Sequence, residues 1–127
     1  MEPMEFFRQV PVRSSEGALR ERIELASLPD FCASIGNVEP TEPGQGQIFC
    51  LWGEFLIRRS PITGGLRFEL ADCPNGLQWT ITTGFPPEPD QVIVHASINR
   101  PSQSDELVES IDEFLDDWQQ GLIDVLG

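Results

Sequence analysis

Three cysteines, a single histidine and a scatter of carboxylates are the side chains of this chain that could do chemistry. A thiol beside an imidazole is an activated nucleophile, and His95 is the only imidazole. Cys73 follows Asp72 in a turn-like stretch while His95 lies within a strand pattern, so the two are not expected to meet. Cys50 suits His95 better, because strand parity can place both on one sheet face. The two still belong to strands expected to be apart unless the last strand pairs with the first. Glu54 is a candidate general acid or base with no second carboxylate near it in sequence. Asp112 and Asp116, four residues apart on a helical pattern, could share a cation, whereas the adjacent Asp116 and Asp117 point in different directions. No histidine accompanies those carboxylates, so neither a metal nor a cofactor is expected.

Other chemistries are excluded by residue type. The cysteines Cys32, Cys50 and Cys73 form no CxxC pair and lack the histidine partners of the usual zinc sites. The eight basic residues are all arginine. Without lysine there is no Schiff-base chemistry and no nucleotide-triphosphate loop. Arg58-Arg59 could receive an anion, although such a pair more commonly keeps a strand end soluble. Twenty-one acidic residues give a net charge of −13, a field that repels phosphate backbones and anionic lipid. Nucleic acid and membrane are therefore not expected partners, whereas a basic protein is. An odd number of widely spaced cysteines is most simply reduced, which points to the cytoplasm. The opening Met-Glu-Pro-Met-Glu-Phe-Phe has neither the basic region nor the long apolar stretch of a signal peptide, and no apolar run has the length of a membrane span.

The elements that must position these residues emerge from periodicity. A chain of 127 residues suits a single domain over 1–127. Residues 1–47 look less regular, with a short helix over about 18–27 that Pro29 ends, and a further helical turn near Phe31–Ile35. Asn37–Gln47, rich in proline and glycine, reads as a loop. From 48 to 127 the pattern sharpens into four strands over Ile48–Arg59, Leu66–Ala71, Leu77–Thr83 and Gln91–Ile98. Proline- and glycine-rich turns separate them, Gly84–Asp90 being the last. The C-terminal stretch repeats Leu107, Ile111, Phe114, Leu115, Trp118, Leu122 and Val125 at helical steps. Ser102 or Ser104 is its candidate cap. The expected fold is thus α+β: a two-layer domain with a four-stranded antiparallel meander covered by a long amphipathic helix.

This architecture divides the chain into faces. In the first strand, Phe49, Leu51, Phe55 and Ile57 are expected in the core, leaving Trp52 and Leu56 with Ile93 on the second face. These three form the candidate interface, covered either by residues 1–35 or by another molecule. From Pro101 onward there are eight acidic residues and no basic ones. Asp105, Glu109, Asp112, Glu113, Asp116 and Asp117 make a candidate acidic surface. The reading is a small acidic interaction or accessory protein, a homodimer, rather than an enzyme. The alternative is a small enzyme or ligand-binding protein with a site near Trp52 and His95, for which His95, Cys50 and Glu54 are the weakly indicated catalytic candidates.

Overall fold

The computed structural model describes residues 4–83, 91–99 and 105–127. Among these residues the sheet has seven strands, all paired antiparallel, and there are three helices. The expected four-stranded meander is therefore too small, and the missing strands come from the region read as irregular. The order along the chain is β1 (Met4–Val10), α1 (Glu16–Arg22), a single 3-10 turn (Leu25–Ser27), α2 (Leu28–Phe31), β2 (Ile35–Glu42), β3 (Gln45–Cys50), β4 (Gly53–Ile62), β5 (Gly65–Leu70), β6 (Gln78–Thr83), β7 (Val92–Ile98) and α3 (Asp105–Leu126). Across the sheet the order is β1-β7-β6-β5-β4-β3-β2.

Each error has a local cause. β1 places Met4, Phe6, Arg8 and Val10 in register with the core-facing Ile98, Ala96, Val94 and Val92 of β7. An inward Arg8 and an outward Phe7 break the apolar–polar alternation that would mark a strand. β2 buries only Ile35 and Val38, carries Pro40, and shifts register between Ile35 and Asn37 and again between Pro40 and Glu42. A proline and irregular pairing are typical of an edge strand, and a loop-like sequence results. The expected strand Ile48–Arg59 is two strands, because the chain turns at Leu51-Trp52 and Cys50 pairs with Gly53. Gly53 takes a positive φ of 115°, which a side chain would resist. Phe49 and Leu51 are consequently exposed instead of buried in the core, while Ile48 and Ile57 are fully buried. The expected helix 18–27 is shorter and begins earlier. Ser15 caps α1 by accepting the Ala18 amide at 3.1 Å, and Pro29 sits in the first turn of α2 instead of ending a helix.

The core lies between one sheet face and the helices. α3 buries Ile111, Phe114, Leu115, Trp118 and Leu122, and it packs on β1, β7 and α2. Trp79 meets Phe114 edge-on at 5.0 Å, and Trp118 lies 6.2 Å from both Phe31 and Phe68. Such an aromatic cluster contributes beyond its area, by about 0.5–1.5 kcal/mol per well-oriented pair. α1 is tied to the same face through Arg59, whose guanidinium donates to the Ile23 and Arg20 carbonyls. Burial pushes the Arg59 pKa down and the nearby Arg20 adds to that, against the pull of Glu24. The capping serines Ser102 and Ser104, and the turn Gly84–Asp90, lie outside the described residues.

Candidate functional site

The helices leave the opposite face of the sheet uncovered, and strand registers define what it presents. One cross-strand row runs Phe7, His95, Thr80, Arg67, Ser60 from β1 to β4. A parallel row runs Gln9, Ile93, Thr82, Gly65, Ile62, and another runs Glu5, Ser97, Gln78, Glu69, Arg58. Toward the other edge come Leu56 with Gln47, and Glu54 with Phe49. Phe7 is 56% exposed and Phe49 38%, high values for phenylalanine, and Leu56, Ile62 and Ile93 are half-buried.

His95 sits in this face. Its ring stacks on Phe7 with centroids 4.4 Å apart and planes 9° from parallel, and its Nε2 lies 3.2 Å from Glu5 Oε1. Cys50 belongs to β3, four strand spacings away, or roughly 19 Å, and it faces the core side through its pairing with Gly53. Burial also raises the Cys50 thiol pKa. The Cys–His pairing considered from sequence is therefore not assembled. Cys32 is further from reactivity, since burial pushes its pKa up to about 12 and its Sγ donates to the Phe114 carbonyl at 3.7 Å. Glu54, on β4, accepts a hydrogen bond from the Gln47 amide across the hairpin.

Trp52 is separated from Leu56 and Ile93. Placed in the β3–β4 turn, it folds over the core side, where its ring lies 4.9 Å from Phe114 and its Nε1 donates to Ser110 Oγ at 2.8 Å. α3, not the N-terminal third, covers it. Leu56 and Ile93 share the open face but stand on β4 and β7, three spacings or roughly 14 Å apart. Leu56 is anchored by its amide, which donates to Asp72 Oδ1 at 2.8 Å.

The acidic residues of α3 fall into two groups. Asp105, Glu109 and Glu113 are exposed. Asp112 and Asp116 bracket Arg8 of β1, whose Nη2 and Nε lie 3.1 and 2.9 Å from their carboxylate oxygens. Burial opposes the Arg8 charge, but the hydrogen bonds and charges of Asp116 and Asp112 outweigh it and hold its pKa above the ordinary value. A guanidinium thus occupies the position that a cation between these carboxylates would take. Asp117 accepts a hydrogen bond from Ser34 Oγ and so ties α3 to the start of β2.

Both sheet edges are blunted. On β1 the Phe7 carbonyl accepts from Arg8 Nη1 at 2.9 Å and the Gln9 carbonyl from Gln119 Nε2 at 2.8 Å, so side chains take positions that an added strand would use. On β2 the bulges, Pro40 and the flanking glutamates do the same. The residues that sequence reasoning missed at this surface are Phe7 and Phe49. The adjacent Phe6-Phe7 was the available signal for a two-faced strand.

No protein-family model matches the chain, and no curated protein matches its sequence. No helix among the described residues is long and apolar enough to cross a membrane. The fold does recur in solved structures. The chain is similar to an uncharacterised protein from Bacillus thuringiensis at 18% identity, with a TM-score of 0.64, covering 96% of this chain and 99% of that one. It is likewise similar to the protein XoxI from Bacillus cereus at 16% identity, with a TM-score of 0.67 and coverage of 99% and 96%. At these identities the likeness is one of fold, and it places the chain as a small α+β domain of an architecture also found in these two Bacillus proteins.

Proposed function

We propose that this is a small acidic interaction protein that associates through the open face of its sheet, with a second copy of itself as the partner. The observation that carries this reading is the seven-stranded face, left uncovered by the described helices, bearing exposed Phe7 and Phe49 among half-buried Leu56, Ile62 and Ile93. Seven strands about 4.8 Å apart and about 20 Å long present roughly 600 Å², near the ~800 Å² per partner of a standard interface. Blunted edges disfavour association by strand addition, which leaves the face. At the centre of this face β4 and β5 carry Arg58 and Arg67 beside Glu54 and Glu69, a balanced set, while Glu5 and Glu39 add acids toward the two edges. The unbalanced acids of α3 lie on the opposite layer, so a two-fold, face-to-face dimer holds them apart. The three thiols are free, which fits a reducing, cytoplasmic setting.

Sedimentation equilibrium of wild type and Phe7→Glu at two salt concentrations tests the proposal. The wild type should dimerise and tighten as salt screens the repulsion between two −13 chains. Phe7→Glu should be monomeric, with a stability loss of no more than about 1.5 kcal/mol for the missing stack on His95. A wild type that stays monomeric at high micromolar concentration refutes the homodimer. Binding of a basic protein that weakens with salt would replace the second copy with another partner.

A further inference from the structure

A second feature lies on the other side of the sheet, away from the association face. Between the N-terminal half of α3 and the turn that follows β5 there is a cavity of about 220 Å³. Its walls are aliphatic: Leu70, Leu77, Ile98 and Ile111, all nearly or fully buried. Trp52, Phe55, Cys73, Asn75 and Leu107 form its half-buried rim.

The polar groups around this rim are largely spent. Trp52 Nε1 donates to Ser110 Oγ, and that hydroxyl donates to the Leu107 carbonyl at 2.7 Å. The turn closes on itself, because the Cys73 amide bonds to Leu70 O and the Gly76 amide to Cys73 O. The Asn75 carbonyl takes the Asn99 amide at 2.7 Å. Among the described residues no charged side chain lines the cavity. What remains for a guest is apolar wall, two aromatic rings, a thiol and the Asn75 side chain. An apolar cavity of about 150 Å³ suffices for benzene, which leaves room here for one ring and a few further atoms.

We propose that this cavity is a binding site for a small uncharged apolar molecule, an aromatic or branched aliphatic compound of roughly six to ten heavy atoms. Carboxylates and phosphates are disfavoured twice, because no described residue of the lining offers a counter-charge and the net charge of −13 repels them outside. The half-buried rim is the way in, and Trp52, held on α3 by its hydrogen bond to Ser110 and its contact with Phe114, forms one side of it.

p-Xylene is the probe and p-toluate its charged control, with binding followed by shifts of the Leu and Ile methyl signals in NMR spectra. The wild type should bind p-xylene saturably with a Kd of about 1 mM or below, shifting Leu70, Ile98, Leu107 and Ile111, and should bind p-toluate at least about tenfold more weakly. Cys73→Phe, which fills the rim, should lose about tenfold or more in p-xylene affinity. As a measure independent of that variant's folding, p-xylene should slow alkylation of Cys73 by monobromobimane in the wild type. Absence of saturable shifts, equal affinity for p-toluate, undiminished binding by a folded Cys73→Phe, or unprotected Cys73 would each overturn the proposal.

Discussion

Replacing Gly121 by alanine separates two opposite expectations by sign. Gly121 lies within α3, where alanine is normally favoured over glycine by about 1 kcal/mol. On helix propensity alone Gly121→Ala would stabilise. In the folded chain, however, a Cβ at this position would lie 1.7 Å from the Phe31 carbonyl oxygen, 2.4 Å from its carbon and 2.9 Å from its Cα. These are backbone atoms at the end of α2, so no side-chain rotation relieves the clash. α2 and α3 must separate by more than about 1 Å. Phe31, whose ring stacks on Trp118 at 6.2 Å and is almost fully buried, would move with the backbone. Overpacking of this kind costs about 1–3 kcal/mol, and more where backbone shifts. After the propensity gain, a net loss of about 1–2 kcal/mol is expected. Urea denaturation should lower the midpoint by roughly 1 M at an unchanged slope. Gln120→Ala, one residue away and exposed, should stay within about 0.5 kcal/mol and serves as the control. A Gly121→Ala protein more stable than wild type would refute the close approach of α2 to α3.

Trp118→Ala should cost about 3–5 kcal/mol by chemical denaturation, because the ring is fully buried among Phe31, Phe68 and Trp79, while exposed Glu113→Ala should change stability by less than about 0.5 kcal/mol; comparable losses from the two would remove the buried-face assignment. Cys32 predicts an alkaline instability. Its thiol ionises near 9 when unfolded and only at about 12 when folded. The folded state therefore holds the proton more tightly, and its advantage, complete below 9, is lost as pH rises through that window. The slope should approach about 1.4 kcal/mol per pH unit, and Cys32→Ala should flatten it; an unchanged profile in the variant would show that another group sets it.

How much of this was legible depends on how cleanly each element separates its faces. β6 alternates Trp79 and Ile81 with Thr80 and Thr82 because one side meets the core and the other is open, so its period survives in the residue types. α3 keeps its stripe for the same reason. β1 conceals itself because its inward Arg8 is neutralised by carboxylates more than 100 positions away, a partnership that no local window contains. The β3–β4 turn conceals itself differently. Leu51-Trp52 lacks the usual turn residues, and only Gly53 marks the reversal. Mistaking that hairpin for one strand moved Phe49 to the wrong face and set Trp52 beside Leu56, when α3 is what Trp52 meets. The candidate surface was therefore visible as a set of unplaced apolar residues, while its membership waited on the β3–β4 turn and the long-range pairing of Arg8.

The position of β1 beside β7 also bears on how the chain is made. Every other strand pairs with one next to it in sequence, so those hairpins can close soon after leaving the ribosome. β1 emerges first, yet its partner follows about ninety residues later, roughly 5–20 s at ordinary rates of synthesis. Through that interval Phe6 and Phe7 travel on a nascent strand with neither edge satisfied. The carboxylates that accept Arg8 and the amide that caps Gln9 belong to α3 and arrive later still. Maturation is then a closing of β1 upon β7 and α3. The vulnerable species is the growing polypeptide, whose aromatic leading segment is open to chaperones and to its neighbours on the same polysome.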